Sequence, residues 1–464
     1  MEAIFTEELK VPEGKVYELS ERQKLEILKL RGEKVELDPG MGGVSPEVLD
    51  RHLETSRLAS VDLALTSACN FKCPHCYRPD DEWGKLLIKF ETIEKVVRDA
   101  NELGVRYFVL TGGEPTMYRD GDKDYFDVVD LIQSTCEGAK VLTFSDVALI
   151  DEEKARKLAE RKVGLCLKRD TLDHEMQDAI VAVEGGSRDM LKGYEKLFEA
   201  GYGKNPDLAV SVNQVLRKGD LNTLDGAIDL HMWVRGNGME HSVVPIHYCG
   251  KAEATEEEQR AGLNPLEVKA LYDILSEIDR IFFNDGWEVY SGFPKNRTCN
   301  RPGRGVHIRA TGEVTACSES PKIDGYVFGD INKQGLVEMI DSEKFQDFRE
   351  EFSERKGEYI CNSDVCDLNA ERLCRGGCAT RSAYSVIDVE TGLIVPNKNL
   401  TAYSKGTEDP LCPAWIVAAQ KQGILREGVY KGMVDSLIGK SRLVGTDLAQ
   451  TVRRNVVAKF DNLR

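Results

Sequence analysis

The chain has 464 residues, enough for roughly two to four domains and a substantial core. Its 62 basic and 79 acidic residues leave a net charge of −17, which argues against duplex nucleic acid or an anionic membrane as the primary partner. The opening MEAIFTEELK has no basic-then-apolar leader, and no apolar run approaches the ~20 residues of a spanning helix, so the expected compartment is the cytoplasm.

Residues 1–58 read as a polar extension, with a helix expected around ELSERQKLEILKLRG and a flexible DPGMGG. From residue 60 short β-branched or apolar runs recur: SVDLALT (60–66), RYFVLTG (106–112), KVLTFSD (140–146), GLCLKRD (164–170), LAVSVNQVL (208–216) and EHSVVPIHY (240–248). Segments of helical period lie between them. In the first, Ile93, Val96, Val97, Ala100 and Leu103 recur at three-four spacing, and Gly104 follows as a stop. Six strands alternating with helices predict an α/β unit of parallel strands joined by right-handed crossovers, with its chemistry at the C-terminal strand ends. LNPLEVKALYDILSEIDRIFF is expected to be its last helix. After residue 290 the composition turns to Cys, Gly and Arg, and the tail from about 413 reads as helical. The expected divisions are therefore 1–58, 59–290, 291–420 and 421–464.

The 13 cysteines read as metal ligands before disulfides in a reducing compartment. Cys69, Cys73 and Cys76 follow the first strand as C-x3-C-x2-C, and TGGEPT closes the second, so both face one mouth. Three thiolates this close share one metal centre, yet such centres normally take four ligands. A zinc site would recruit His75, whose place between two of the cysteines makes joint ligation awkward. In TGGEPT two glycines let a ligand approach the backbone, and Glu114 offers an acceptor for an ammonium group. Cys136 and Cys166 read as small buried hydrophobes.

The C-x3-C-x2-C run with planar His75 before its third cysteine, followed one βα unit later by TGGEPT, resembles the radical S-adenosylmethionine (SAM) superfamily. The resemblance implies a partial (β/α)6 barrel and a [4Fe–4S] cluster on Cys69, Cys73 and Cys76. It also implies that SAM chelates the fourth iron and is cleaved reductively to a 5′-deoxyadenosyl radical that abstracts a substrate hydrogen. Gly112, Gly113 and Glu114 are implied to receive the SAM amino group. The third strand ends FSD where many relatives have threonine-asparagine-glycine, which makes Ser145 a SAM contact. The fourth ends LKRD where many have serine-leucine-aspartate. Lys168 then takes the serine position, either paired with the SAM carboxylate or solvated at a strand end.

Seven more cysteines give C-x12-G-x4-C, then C-x4-C-x7-C-x3-C, then Cys412. This field resembles the SPASM domain, a small α+β module, with two gaps longer than usual: four residues between Cys361 and Cys366, and seven between Cys366 and Cys374. The resemblance implies two auxiliary [4Fe–4S] clusters. One takes Cys361, Cys366, Cys374 and Cys412; the other takes Cys299, Cys317 and Cys378, with a fourth position unassigned. They serve electron transfer or substrate ligation, or they staple the module.

For the substrate, the resemblance implies a peptide or protein that is crosslinked, oxidised or epimerised. The alternative is dehydrogenation or dehydration of a small polyol, sugar or aminocyclitol. A ferredoxin or flavodoxin would donate electrons. A non-enzymatic iron–sulfur electron carrier explains the cysteines but not TGGEPT. After the sixth strand, VVPIHYCGKAE brings His247, Tyr248 and Cys249 towards substrate space. His247 reads as catalytic or as a hydrogen-bonded core histidine. Cys249 reads as a hydrogen donor to a substrate radical, as the missing auxiliary ligand, or as a packed thiol.

Overall fold

Six strands form where the β-branched runs lie: β1 (Ser60–Thr66), β2 (Tyr107–Gly112), β3 (Lys140–Ser145), β4 (Gly164–Lys168), β5 (Val210–Leu216) and β6 (Glu240–Pro245). Each pairs in parallel with the next, so spatial order follows chain order. The structure is a computed structural model. It describes residues 46–78, 84–217, 224–247, 249–251, 264–285, 303–320, 325–353, 385–387, 394–396, 429–439, 441 and 446–461. All seven residues of β1 are buried, as befits a parallel strand covered on both faces.

Helices α1 (Pro46–Leu53), α2 (Phe90–Glu102), α3 (Tyr125–Thr135), α4 (Glu152–Glu160), α5 (His174–Val181), α6 (Gly186–Glu199), α7 (Leu224–Gly236) and α8 (Pro265–Phe283) accompany this sheet. In α2 the buried stripe is Ile93, Val96, Val97 and Ala100, and the helix stops before Gly104, whose φ is +84°. α3 starts with a reciprocal capping box between Asp124 and Asp127. The α/β barrel expected from the sequence is thus present. Its apolar side chains, among them Leu63, Leu65, Leu110, Val128 and Met190, join in one core. From the N-terminal extension, α1 lies at the N-terminal ends of the strands. There Leu49 packs with Ala59 and Ala209, and Asp50 pairs with Arg304 at 2.6 Å. The helix expected over ELSERQKLEILKLRG lies outside the described residues.

Beyond the barrel, β7 (Gly305–Ile308), β8 (Glu313–Thr315) and β9 (Val327–Asp330) continue the same sheet. β7 pairs in parallel with β1, and β8 and β9 follow antiparallel, giving the order β9-β8-β7-β1-β2-β3-β4-β5-β6. Gly305 makes this possible, since a Cβ there would meet the Ser60 hydroxyl at 2.0 Å. Next come α9 (Leu336–Ile340), α10 (Glu343–Ser353) and an antiparallel pair, β10 (Ser385–Ile387) with β11 (Ile394–Pro396). The tail folds back as α11 (Val429–Gly439) and α12 (Asp447–Asp461), which share a second apolar cluster with α8. Among the described residues no helix is long and apolar enough to cross a membrane.

Candidate functional site

The loop after β1 carries Cys69, Cys73 and Cys76 and is fastened on three sides. On the β2 side the Gly113 amide donates to the Thr66 carbonyl and the Glu114 amide to the Ala68 carbonyl, both at 2.7 Å. The approach is so close that a Cβ on Gly112 would stand 2.4 Å from the Thr66 oxygen, and one on Gly113 would stand 1.8 Å from the Ala68 oxygen. Gly112 also has φ +141°, which favours glycine. In the middle, Phe71 is buried in the core and the Lys72 amide donates to the Val181 carbonyl at 2.9 Å. At the far end the Lys251 amide donates to the Cys76 carbonyl at 2.9 Å, and Gly250 sits against the backbone of Tyr77. The segment after β6 therefore closes on the cysteine loop.

The sequence offers Glu114 as an acceptor for a ligand's ammonium group; the structure employs its carboxylate internally. Glu114 is fully buried and accepts from the Thr116 amide at 3.1 Å, the Thr116 hydroxyl at 2.6 Å, the Ser145 hydroxyl at 3.1 Å and the Asp146 amide at 2.8 Å. Four donor hydrogens meet the roughly four lone-pair sites of a carboxylate. Ser145, expected as a SAM contact, donates to Glu114 and accepts from the Val147 amide at 3.0 Å. Both residues sit at the mouth, and their side chains tie β2 to β3. Burial raises the Glu114 pKa, against the pull of these hydrogen bonds. Next to it, Asp146 is pushed up to about 8, by burial first and then by the Glu114 carboxylate. Asp146 accepts from Asn70 at 3.2 Å and from the Ala148 amide at 3.1 Å, and its other oxygen lies 3.9 Å from the Cys69 sulfur.

On the opposite side of the loop, Lys168 is not solvated. Its side chain is 21% exposed, and its ammonium donates to Asp170 at 2.9–3.1 Å and to His75 Nε2 at 3.3 Å. Asp170 is buried, also accepts the Val215 amide at 3.0 Å, and is held well below the usual carboxylate range chiefly by the Lys168 cation, against the effect of burial. Burial and then Lys168 depress His75 to about 3, so it is neutral, with Nε2 accepting and the proton on Nδ1. Burial pushes Cys73 up to about 11 despite the nearby Lys168 charge, and lifts Cys69 well above the ordinary thiol range.

These residues suit an iron–sulfur cluster. Cys69 and Cys73 are half-buried, and their thiols resist ionisation until a metal charge compensates them; coordination deprotonates a thiol outright. Asn70 Oδ1 and His75 Nδ1 are buried beside the loop with no hydrogen-bond partner among the described residues. No group of three His, Cys, Asp or Glu among the described residues closes on a single ion.

At the end of the barrel, His247 pairs with Glu319, two residues beyond Cys317, and Cys249 is buried. The exit of β6 thus lies beside the first auxiliary-cluster segment as well as beside Tyr77. Cys317 is half-buried, and its amide is held by Ser320 Oγ at 2.9 Å. Cys299, Cys361, Cys366, Cys374, Cys378 and Cys412 lie outside the described residues, as does Tyr248. Sequence reasoning missed Asn70, Asp146 and Asp170. The signals lay in two strand ends: the aspartate of FSD stands where relatives have glycine, and that of LKRD stands where they have the aspartate of serine-leucine-aspartate.

The family profile of the radical SAM superfamily matches residues 63–220, and that of the SPASM iron-sulfur cluster-binding domain matches residues 299–367. This chain carries a radical SAM domain followed by a SPASM domain, families named for SAM chemistry and for iron–sulfur cluster binding. Among curated relatives, the chain is 26% identical to a GTP 3',8-cyclase of Tolumonas auensis over 49% of this chain and 65% of the cyclase. It therefore spans just under two thirds of that relative. Identity to a PqqA peptide cyclase of Bradyrhizobium diazoefficiens is 25%, over 65% of this chain and 79% of the relative. Native anSMEcpe with bound AdoMet has a similar fold, with TM-score 0.57 and 14% identity, covering 88% of this chain and 100% of that one. Streptococcus suis SuiB bound to precursor peptide SuiA has TM-score 0.56 and 16% identity over 78% of each chain.

Proposed function

We propose that this protein cleaves SAM reductively at the Cys69–Cys73–Cys76 cluster and abstracts a hydrogen from a peptide or protein substrate, with a crosslink, oxidation or epimerisation as outcome. The observation that carries the reading is the three-cysteine loop, seated on the barrel mouth by the Gly112–Glu114 clip and lined with buried polar atoms that lack partners among the described residues. When bound, the cluster and SAM supply the electron and the 5′-deoxyadenosyl radical. The chain's own residues hold the site. Gly113 and Glu114 fix the loop, and Lys168 with Asp170 fixes His75 against it. Phe71 anchors the loop in the core. Auxiliary clusters on the second cysteine field suit an oxidative outcome, since they offer the second electron a place. A small reductase such as ferredoxin or flavodoxin is the expected donor.

A peptide substrate is supported by the names of relatives with similar architecture: SuiB was solved with its precursor peptide, anSMEcpe with a Cp18Cys peptide, and a curated relative is a PqqA peptide cyclase. The GTP 3',8-cyclases favour a small-molecule reading, with 30% identity over 40% of this chain in one case.

Anaerobic reconstitution tests the chemistry. Three [4Fe–4S] clusters predict about twelve irons per chain. Joint replacement of Cys69, Cys73 and Cys76 by alanine is expected to remove about four of them and to abolish 5′-deoxyadenosine formation. A triple variant that still makes 5′-deoxyadenosine would overturn the assignment.

A further inference from the structure

The wall of the mouth at the end of β4 carries a charge pair with a direction. Lys168 closes the strand where many relatives have a neutral serine. Its ammonium donates to His75 Nε2 at 3.3 Å, inside the cysteine loop and next to Cys76, and to the buried Asp170 carboxylate at 2.9–3.1 Å. The other bonds of that carboxylate lead away from the loop: it accepts from the Val215 amide at 3.0 Å and from Gln177 Nε2 at 3.3 Å. The cation is therefore the end of the pair that touches the loop, and its influence on the Cys73 thiol outweighs that of Asp170. Burial alone would lower the Lys168 pKa, but Asp170 raises it, so the ammonium keeps its charge throughout the neutral range. Arg217, just past β5, adds a second cation close enough to act on His75 and Asp170. A charge fixed in a half-buried wall is weakly screened. Iron–sulfur potentials follow the charges and hydrogen bonds around the ligands. An added electron makes the site more negative, and a neighbouring cation favours that state.

We propose that Lys168 raises the reduction potential of the cluster held by Cys69, Cys73 and Cys76, so that a less strongly reducing donor can load its electron, and that Asp170 limits the effect. The proposal rests on the cluster reading above. Lys168 acts through its field and touches no reacting atom, which makes it a positioning residue.

Redox titration of the anaerobically reconstituted protein without SAM, followed by low-temperature resonance, tests it. The signal missing from the joint alanine variant of Cys69, Cys73 and Cys76 identifies the cluster to follow. Lys168→Met is expected to move its midpoint to a more negative potential by at least about 59 mV, a tenfold change in a one-electron equilibrium. Lys168→Arg keeps the charge and is expected to keep most of the wild-type value. Asp170→Asn removes the opposing charge and is expected to move the midpoint the other way, a reversal of sign that a merely structural role would not produce. An unshifted midpoint in Lys168→Met at full iron content overturns the proposal, and so do shifts of one sign in Lys168→Met and Asp170→Asn. If Lys168→Met does not load iron, the double variant Lys168→Met with Asp170→Asn, which leaves neither partner as an unpaired charge, decides. A negative shift there supports the proposal, and no shift overturns it. A wild-type protein that loads no iron on the three cysteines overturns the proposed function itself, an outcome distinct from any of these.

Discussion

A single pair of glycines shows how residue chemistry and residue role come apart. Gly112 and Gly113 read in the sequence as room for a ligand; in the structure the room is filled by the Thr66 and Ala68 carbonyls of the chain itself. The need for a missing Cβ is the same in both cases, so the sequence shows the close approach without showing what approaches. The three cysteines stand out in the sequence, because their spacing is the pattern on which the resemblance rests. Asp146 does not, because its importance depends on Asn70 and Cys69 lying 76 and 77 residues away in sequence. Gly113→Ala tests the clip. The new methyl would lie 1.8 Å from a backbone oxygen, which has no side-chain freedom with which to retreat, so the loop must move. The expected outcome is loss of about four irons with the auxiliary clusters retained, measured by iron analysis and low-temperature resonance. Full iron content with normal SAM binding would show that the loop tolerates the shift.

Among the elements, α8 departs furthest from what its sequence suggests. Its position matches the last helix expected from LNPLEVKALYDILSEIDRIFF, and Asn264 caps it by accepting the Leu266 amide at 2.9 Å. Its surroundings were not legible in the sequence. A helix on the outside of a barrel is expected to keep its charged face wet, yet Lys269, Asp273, Glu277 and Asp279 are all buried. The reason is the tail: α11 and α12 cover the outer face of α8, and their Val434, Leu437, Val452 and Val456 complete its apolar contacts. The buried charges are paired in consequence. Lys269 meets Asp273 at 2.5 Å, the Tyr430 hydroxyl donates to the same carboxylate, and Asn455 donates to Glu277 at 2.5 Å. Asp273→Ala removes the carboxylate from both Lys269 and Tyr430, and is expected to destabilise the fold by about 3–5 kcal/mol, read as a lower urea midpoint at unchanged slope. A loss under about 1 kcal/mol would mean that the tail is not docked on α8 in solution. No local pattern signals this, because the two halves of the contact are 157 residues apart.

For the whole molecule, composition and architecture part company near residue 290. The shift to Cys, Gly and Arg there is real, and the six-strand order before it matches the alternating pattern. The sheet nevertheless continues through β7, β8 and β9, so β1 is an interior strand and not an edge. The sequence run GVHI is too short to announce that partner. A protein ending at residue 290 would leave one side of a fully buried strand with unpaired N–H and C=O groups, and would also strip the cover from α8. Such an edge invites pairing with other chains. The truncated protein is therefore expected in the aggregate or void fraction by size exclusion, under conditions where the full chain elutes in an included volume. A well-behaved monomeric fragment would show that the barrel stands alone. The junction of β1 with β7 also sets a clock. Roughly 240 residues separate the two strands, so at about 5–20 residues per second the ribosome delivers β7 about 12–50 s after β1. Throughout that interval the strand leading into the cysteine loop has an open flank, and the thiols are attached to an unfinished sheet. Faster synthesis puts more such nascent chains in the cell at once, so the yield of intact, iron-loaded protein should improve when translation is slowed.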